Sequence, residues 1–188
     1  MKGRNSFGKF NFIFKPIYLI ISTLPDFFVK FMWSLILPFD GYVFKAFRYC
    51  ILKAKAKKVG DNVSISANVK IKYWEKFSCG SNVSIHDFCY IDCDGGVTIG
   101  DNVSIAHSSS LISANHTWEL VKTPIKYNPL IKKGIIIKDD VWVGCGVRIL
   151  DGVNIEERTV VAAGSILNKN FPGECVVGGV PAKILKTI

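Results

Sequence analysis

The chain has 188 residues, of which 49% are hydrophobic, and a formal net charge of +9. That is enough apolar material for one main domain with a real core, plus an appendage, and it excludes a disordered chain. Six cysteines occur without a Cys-x-x-Cys pair, so neither a secreted disulfide framework nor a structural metal is expected, and a reducing compartment is implied.

The charge is confined to one end. Residues 1–58 hold eleven of the 24 Lys and Arg but only Asp26 and Asp40 of the fifteen acids, so the whole +9 sits there. The same segment is crowded with large apolar residues, from Phe10 to Ile21 and from Phe27 to Leu37. Its longest uncharged stretch, Pro16 to Pro25, is far short of the ~20 residues a spanning helix needs. No signal-peptide cleavage site follows an apolar run. Two short amphipathic helices punctuated by Pro16, Pro25 and Pro38 are expected instead. Two placements stay open for them: the surface of an anionic membrane, or packing on the domain that follows, capping its open end or a neighbouring subunit. The basic residues interleave with Phe and Ile rather than forming a polar arm, so nucleic acid is not an expected partner.

From Val59 onward the chain keeps a six-residue beat. An aliphatic or small apolar residue recurs at Val59, Ile65, Ile71, then Cys79, Ile85, Ile91, then Ile99, Ile105, Leu111, and again at Ile137, Val143, Ile149, Ile155 and Val161. Gly-Asp-Asn follows Val59 and Ile99. Neither the helical nor the plain strand period fits. A hexapeptide solenoid does: each hexad makes one strand and one corner, and three make a triangular coil. The position four residues after each inward aliphatic must be slim; it is Val63, Val69, Val83, Cys89, Val103, Ser109, Val141, Val147, Val153, Thr159 and Ser165. Glu75 breaks this rule, so a distortion is expected after Ile71. About fourteen hexads give roughly five coils, stabilised by coil-on-coil contact. The division expected is a helical segment over 1–58 and a β-helix over 59–188 that folds without it.

The beat stops between Leu111 and Ile137, and residues 117–136 are expected to form a protruding loop. A loop of that size on a compact solenoid is usually functional. His116 stands at its root, held by rigid structure yet reachable, and a neutral imidazole is a natural general base for a hydroxyl near pH 7.

The segments Ser113-Ala-Asn-His116, Ile137-Lys-Asp-Asp-Val-Trp-Val-Gly144, Ile149-Leu-Asp-Gly-Val153, Ala163-Gly-Ser-Ile-Leu-Asn-Lys169 and Val177-Gly-Gly-Val-Pro-Ala-Lys183 resemble the hexapeptide-repeat acyltransferases. The branch is that of maltose, galactoside and nodulation-type sugar O-acetyltransferases and exopolysaccharide acetyltransferases. The resemblance covers about 130 residues. It implies an all-β fold, a left-handed parallel β-helix with an N-terminal helical segment. It implies acetyl-CoA as cosubstrate, no metal, and a homotrimer with active sites between subunits. His116 would deprotonate the acceptor, and the backbone N–H of Cys145 would face the oxyanion. A covalent role for the Cys145 thiol is the rival, set aside because relatives carry other small residues there and form no acyl-enzyme.

Acceptor contacts implied are His86, Asp87, Asn115 and Trp142, with His86 standing where relatives often carry Asn or Asp. Cosubstrate contacts implied are Gly144, Ala163, Gly164, Ser165, Lys169, Lys183 and Lys186. The chain departs from the usual pattern at Asp151, ordinarily Pro, at Asn168, ordinarily Thr, and at Val180, ordinarily Asn. The function implied is O-acetylation of a sugar hydroxyl in surface polysaccharide synthesis, in the cytoplasm, with peripheral contact to the inner face of the cell membrane. The alternatives weighed are an amino-sugar N-acetyltransferase and a non-catalytic β-helix scaffold. A trimeric zinc carbonic anhydrase is disfavoured, because His86, His107 and His116 lack that family's spacing.

Overall fold

The computed structural model describes the backbone of residues 2–188 and the side chains of residues 13–188; Lys2, Arg4, Lys9, Phe10 and Phe12 have side chains outside the described set. The hexad beat folds into a left-handed β-helix of three parallel faces. Face one stacks Lys58–Val59, Phe77–Cys79, Val97–Ile99, Ile135–Ile137 and Asn154–Ile155. Face two stacks Ser64–Ile65, Ser84–Ile85, Ser104–Ile105, Trp142–Val143, Thr159–Val161 and Cys175–Gly179, and face three has five strands from Lys70–Lys72 to Ile166–Leu167. Five coils are complete, as expected. A partial sixth is added through a bridge from Ile155 to Phe171 and the strand Cys175–Gly179. Ala182–Thr187 folds back antiparallel on that strand and finishes the C-terminal end.

Every aliphatic that opens a hexad is buried, and so is every slim residue four positions later. Cys50, Cys79, Cys89, Cys93 and Cys175 are buried and behave as small apolar fillers, whereas Cys145 is only half-buried. Burial pushes the thiols of Cys50 and Cys89 up to about 11 and that of Cys79 up to about 12, so they are inert at neutral pH.

Gly-Asp-Asn has a mechanical reason at the corner between faces one and two. Asn62, Asn82 and Asn102 take left-handed φ of 55°, 59° and 57°, a region asparagine enters more readily than most residues. Their side chains form a ladder, Asn62 Nδ2 donating to Asn82 Oδ1 at 2.9 Å and Asn82 Nδ2 to Asn102 Oδ1 at 3.1 Å. The aspartates cap the preceding coil: Ser81 N–H donates to Asp101 Oδ1 at 2.6 Å, and Asp101 N–H to Asp139 Oδ1 at 2.7 Å. A Cβ on Gly60 would lie 2.4 Å from the Gly80 carbonyl carbon, so only glycine fits between coils there.

The irregularity expected at Glu75 is real. A 3-10 turn, Trp74–Lys76, adds two residues at the corner between faces three and one, and Glu75 points to solvent. Paired strands of coils 1 and 2 are therefore twenty residues apart (Ser64 with Ser84), whereas those of coils 4 and 5 are eighteen apart (Trp142 with Val160).

The N-terminal segment forms three helices, not two: α1 (Lys2–Thr23), α2 (Asp26–Ile36) and α3 (Tyr42–Lys55). Pro16 lies inside α1 rather than ending it. The third helix was hidden because its apolar content is diluted by Lys45, Arg48, Lys53 and Lys55. Its run Arg48–Leu52 is fully or nearly fully buried against coil 1. The helices close the open end of the solenoid: Trp33 of α2 packs on Trp74 with ring centroids 5.3 Å apart, and Asn68 N–H donates to Leu37 O at 2.7 Å. Arg48 is the pin. Its guanidinium is wholly buried and donates to Ile65 O at 3.2 Å, Ile36 O at 2.7 Å, Leu37 O at 3.3 Å and Phe39 O. It thus satisfies carbonyls left open at the C-terminal end of α2 while tying that helix to the first coil. The helical segment is consequently integral to the end of the β-helix, and the independence expected for 59–188 is not what this packing favours.

Candidate active site

The excursion after Leu111 is a β-hairpin rather than an unstructured loop. Ala114–His116 pairs antiparallel with Leu130–Lys132, and Ile135 is already back on face one. The protruding part therefore starts earlier and ends sooner than 117–136. Its root is closed by Lys133 N–H donating to Ser113 O at 3.0 Å and fixed by backbone bonds to both neighbouring coils: Ser113 N–H donates to Asp92 O at 3.2 Å, and Gly152 N–H to Lys133 O at 3.1 Å. Asp94, nearly buried, pairs with Lys132 and with Lys76, both at 2.9 Å. The hydrogen bonds from these two ammonium groups hold its carboxyl below the ordinary 3.8.

His116 ends the first strand of the hairpin with its ring exposed. Nδ1 lies 3.4 Å from the carbonyl oxygen of Asn128. A proton on Nδ1 directed at that oxygen leaves Nε2 as the basic nitrogen. Asn128 is buried and organises the loop with its side chain as well, accepting from Leu120 N–H at 3.0 Å and donating to Thr123 O at 3.0 Å. Around the imidazole opens a cleft of about 660 Å³, walled by Asn115, Trp118, Glu119, Lys133 and Asp151. Asn115 Nδ2 donates to Asp151 Oδ1.

The other expected site residues lie elsewhere on the same protomer. His86 and Asp87, Gly144 and Cys145, and Ala163 and Gly164 occupy the corner between faces two and three in coils 2, 4 and 5. Cys145 O accepts from Gly164 N–H at 2.8 Å, but the Cys145 N–H has no acceptor among the described residues. Face three separates this edge from His116. Ser165 is buried, as its place four residues after Val161 predicts: its side chain donates to Ala162 O at 2.6 Å and accepts from Gly179 N–H at 3.2 Å, so its hydroxyl faces the core rather than a ligand. Trp142 stands on face two beside Arg158 and Ile188, not in the His116 cleft. Lys169 lies over the Phe171 ring, 5.9 Å from its centroid, while Lys183 and Lys186 are exposed on the closing strand. Among the described residues no three His, Cys, Asp or Glu converge as a metal site requires.

Sequence reasoning missed Asn128, Asp94 and Lys132. The Asp94–Lys132 pair and the Asn128 contacts are brought together only by the hairpin, which carries no repeat. Asp151 did leave a signal, as a departure from the usual proline.

A triangular solenoid with a histidine-rooted hairpin thrown from one edge and a run of open small-residue turns on another is the architecture of hexapeptide-repeat acetyltransferases. No family model matches the chain. It is 34% identical over 143 residues to galactoside O-acetyltransferase of Escherichia coli K12, spanning 75% of this chain and 68% of the relative. It is 31% identical over 156 residues to a putative colanic acid biosynthesis acetyltransferase of the same organism, spanning 83% and 80%. Among solved structures it matches a hexapeptide-repeat acetyltransferase of Vibrio cholerae O1 biovar eltor complexed with acetyl-CoA. That match has 28% identity and a TM-score of 0.70, over 93% of this chain and 84% of the other. The chain belongs to this family, and it is an acetyl-CoA-dependent acetyltransferase of the sugar O-acetyltransferase kind.

Proposed function

We propose that the protein transfers acetyl from acetyl-CoA directly to a sugar hydroxyl during synthesis of a surface polysaccharide. The observation that carries this reading is His116, exposed over its cleft with Nδ1 turned to Asn128 O. Nε2 of His116 takes the hydroxyl proton, and the sugar oxygen attacks the thioester carbonyl carbon. The tetrahedral oxyanion is met by the Cys145 N–H of a neighbouring subunit. Collapse breaks the carbon–sulfur bond, and the proton passes from the imidazolium to the departing thiolate. The separation of the His116 edge from the Cys145 edge within one protomer favours a homotrimer, about 63 kDa from a 20.9 kDa chain. The relatives' involvement in galactoside and colanic acid chemistry supports a carbohydrate acceptor.

His116→Ala tests the base: the trimer should persist in sedimentation while turnover falls by at least about 10². Unchanged turnover in a folded variant removes the assignment.

The same reading includes peripheral membrane contact. No helix among the described residues is long and apolar enough to cross a bilayer. While the inner helical faces cover coil 1, the outer surface exposes Phe27, Phe31, Leu35, Tyr42 and Val43, with Lys15 and Lys30 exposed on the same helical layer. Such a surface suits an anionic interface, each nearby Lys contributing ~1 kcal/mol. The full chain should float with anionic liposomes at low salt and be released as salt rises. Failure to float with anionic lipid leaves these helices as packing alone.

A further inference from the structure

We propose that Asp151 is a positioning residue for acetyl transfer: its carboxylate holds the Asn115 amide, and through it the strand that carries His116. The proposal rests on the function given above and extends it to a residue whose type departs from the family pattern.

Asp151 sits at the coil 4 corner between faces three and one, immediately before Gly152. That corner is rigid, because the Gly152 N–H is bonded to Lys133 O and the flanking Leu150 N–H to Leu167 O. The hairpin above it protrudes, and its first strand, Ala114–His116, has only the second hairpin strand as a partner. The Asn115–Asp151 hydrogen bond spans from this protruding strand to the fixed corner. Lys133 lines the same cleft, yet Asp151 forms no ion pair with it or with any other described residue. Its carboxylate is therefore committed to Asn115. With the amide nitrogen engaged, the carbonyl end of Asn115 is the end left to accept a hydrogen bond from an acceptor hydroxyl beside His116. A proline at 151 offers no side-chain acceptor for that amide, so the tie depends on the aspartate. Asp94, through Lys132, holds the other strand of the hairpin to the coil on the opposite side. The base is thus braced from coils 2 and 4 at once.

The mechanism of holding is a hydrogen bond, so the neutral isostere should serve and the truncated side chain should not. Three variants of the full chain separate the cases: Asp151→Ala, Asp151→Asn, and the exchanged pair Asn115→Asp with Asp151→Asn. The first readout is hydrogen–deuterium exchange of peptides covering 113–118, which needs no substrate. Asp151→Ala should speed exchange there about tenfold, the scale of one lost hydrogen bond to a charged group. Asp151→Asn and the exchanged pair should stay near the parent. The second readout is steady-state transfer from acetyl-CoA to 4-nitrophenyl β-D-galactopyranoside, with the CoA dissociation constant measured by calorimetry. Asp151→Ala should raise KM for the galactoside about tenfold and leave CoA affinity within about twofold. Parent-like exchange in Asp151→Ala overturns the proposal. So does an Asp151→Asn variant as damaged as Asp151→Ala, since that would mark a requirement for charge. A parent protein that neither binds CoA nor transfers acetyl would overturn the acetyltransferase reading instead, and exchange would still decide whether Asp151 holds the strand.

Discussion

The backbone carbonyl of Asn128 lies 3.4 Å from Nδ1 of His116, although twelve residues separate them in the chain. The carbonyl can serve the imidazole only while the loop keeps its shape, and the Asn128 side chain supplies that shape through Leu120 N–H, Thr123 O and Pro124 O. Asn128→Ala leaves the carbonyl in place but removes the side-chain bonds. Turnover should fall about tenfold, each lost bond costing on the order of 1 kcal/mol. Steady-state kinetics check this, with unchanged sedimentation as the control for assembly.

Asp94 makes the hairpin root acid-sensitive. Lys76 and Lys132 hold its carboxyl below the ordinary 3.8. A carboxylate with a depressed folded-state pKa stabilises fully above its unfolded value, and that contribution disappears as pH falls through the folded one. The brace should therefore be intact at neutral pH and weaken below about pH 4. Asp94→Asn should remove this part of the acid dependence, so that exchange at 130–133 no longer rises more steeply in acid than in the rest of coil 3. A parallel acid profile in both proteins would contradict the brace.

Arg48 binds the helical layer to the solenoid. Arg48→Met keeps much of the volume but leaves the carbonyls of Ile36, Leu37, Phe39 and Ile65 without their shared donor. The expected loss is about 2–3 kcal/mol, seen as a lower denaturant midpoint. Arg48→Lys should recover little of it, because one ammonium cannot reproduce the planar fork. A chain beginning near Lys57 should fare worse still, exposing the top of coil 1 and tending to aggregate; cooperative unfolding of that truncation at the parent midpoint would show the cap to be dispensable.

Gly100→Ala probes the spacing of coils. Its Cβ would stand 2.1 Å from Asp139 Oδ1 and 2.8 Å from the Lys138 carbonyl carbon. Backbone cannot give way there, so the coils must part and the Asp101–Asp139 cap must open, at about 1–3 kcal/mol. Thermal unfolding measures the cost.

The solenoid was legible because its constraint repeats: Ile65, Ile85 and Ile105 occupy the same environment, as do Asn62, Asn82 and Asn102. The rest was harder to read because its partners meet once each. Arg48 looks like one more surface charge on a basic helix until its four carbonyls are assembled around it. Asp94 and Lys132 are thirty-eight residues apart with no periodicity to pair them. Asn115 and His116 were accessible because they sit where the beat fails. Ser165 follows the repeat like the other slim corner residues, its hydroxyl turned inward.

All extra length in this chain falls on one edge. Coils 1 and 2 each add two residues at the corner between faces three and one, and coil 3 adds twenty at the same corner, placing Ser104 beside Trp142 across thirty-eight positions. The corner built on the asparagine ladder accepts none, since a single inserted residue would break every rung it touches. The fold thus has one permissive seam and one intolerant spine. A grafted peptide or a reshaped substrate lid would be accommodated on the hairpin at Val121–Lys122, exposed and clear of its anchors, whereas the same graft at Gly80–Asn82 would unzip the stack.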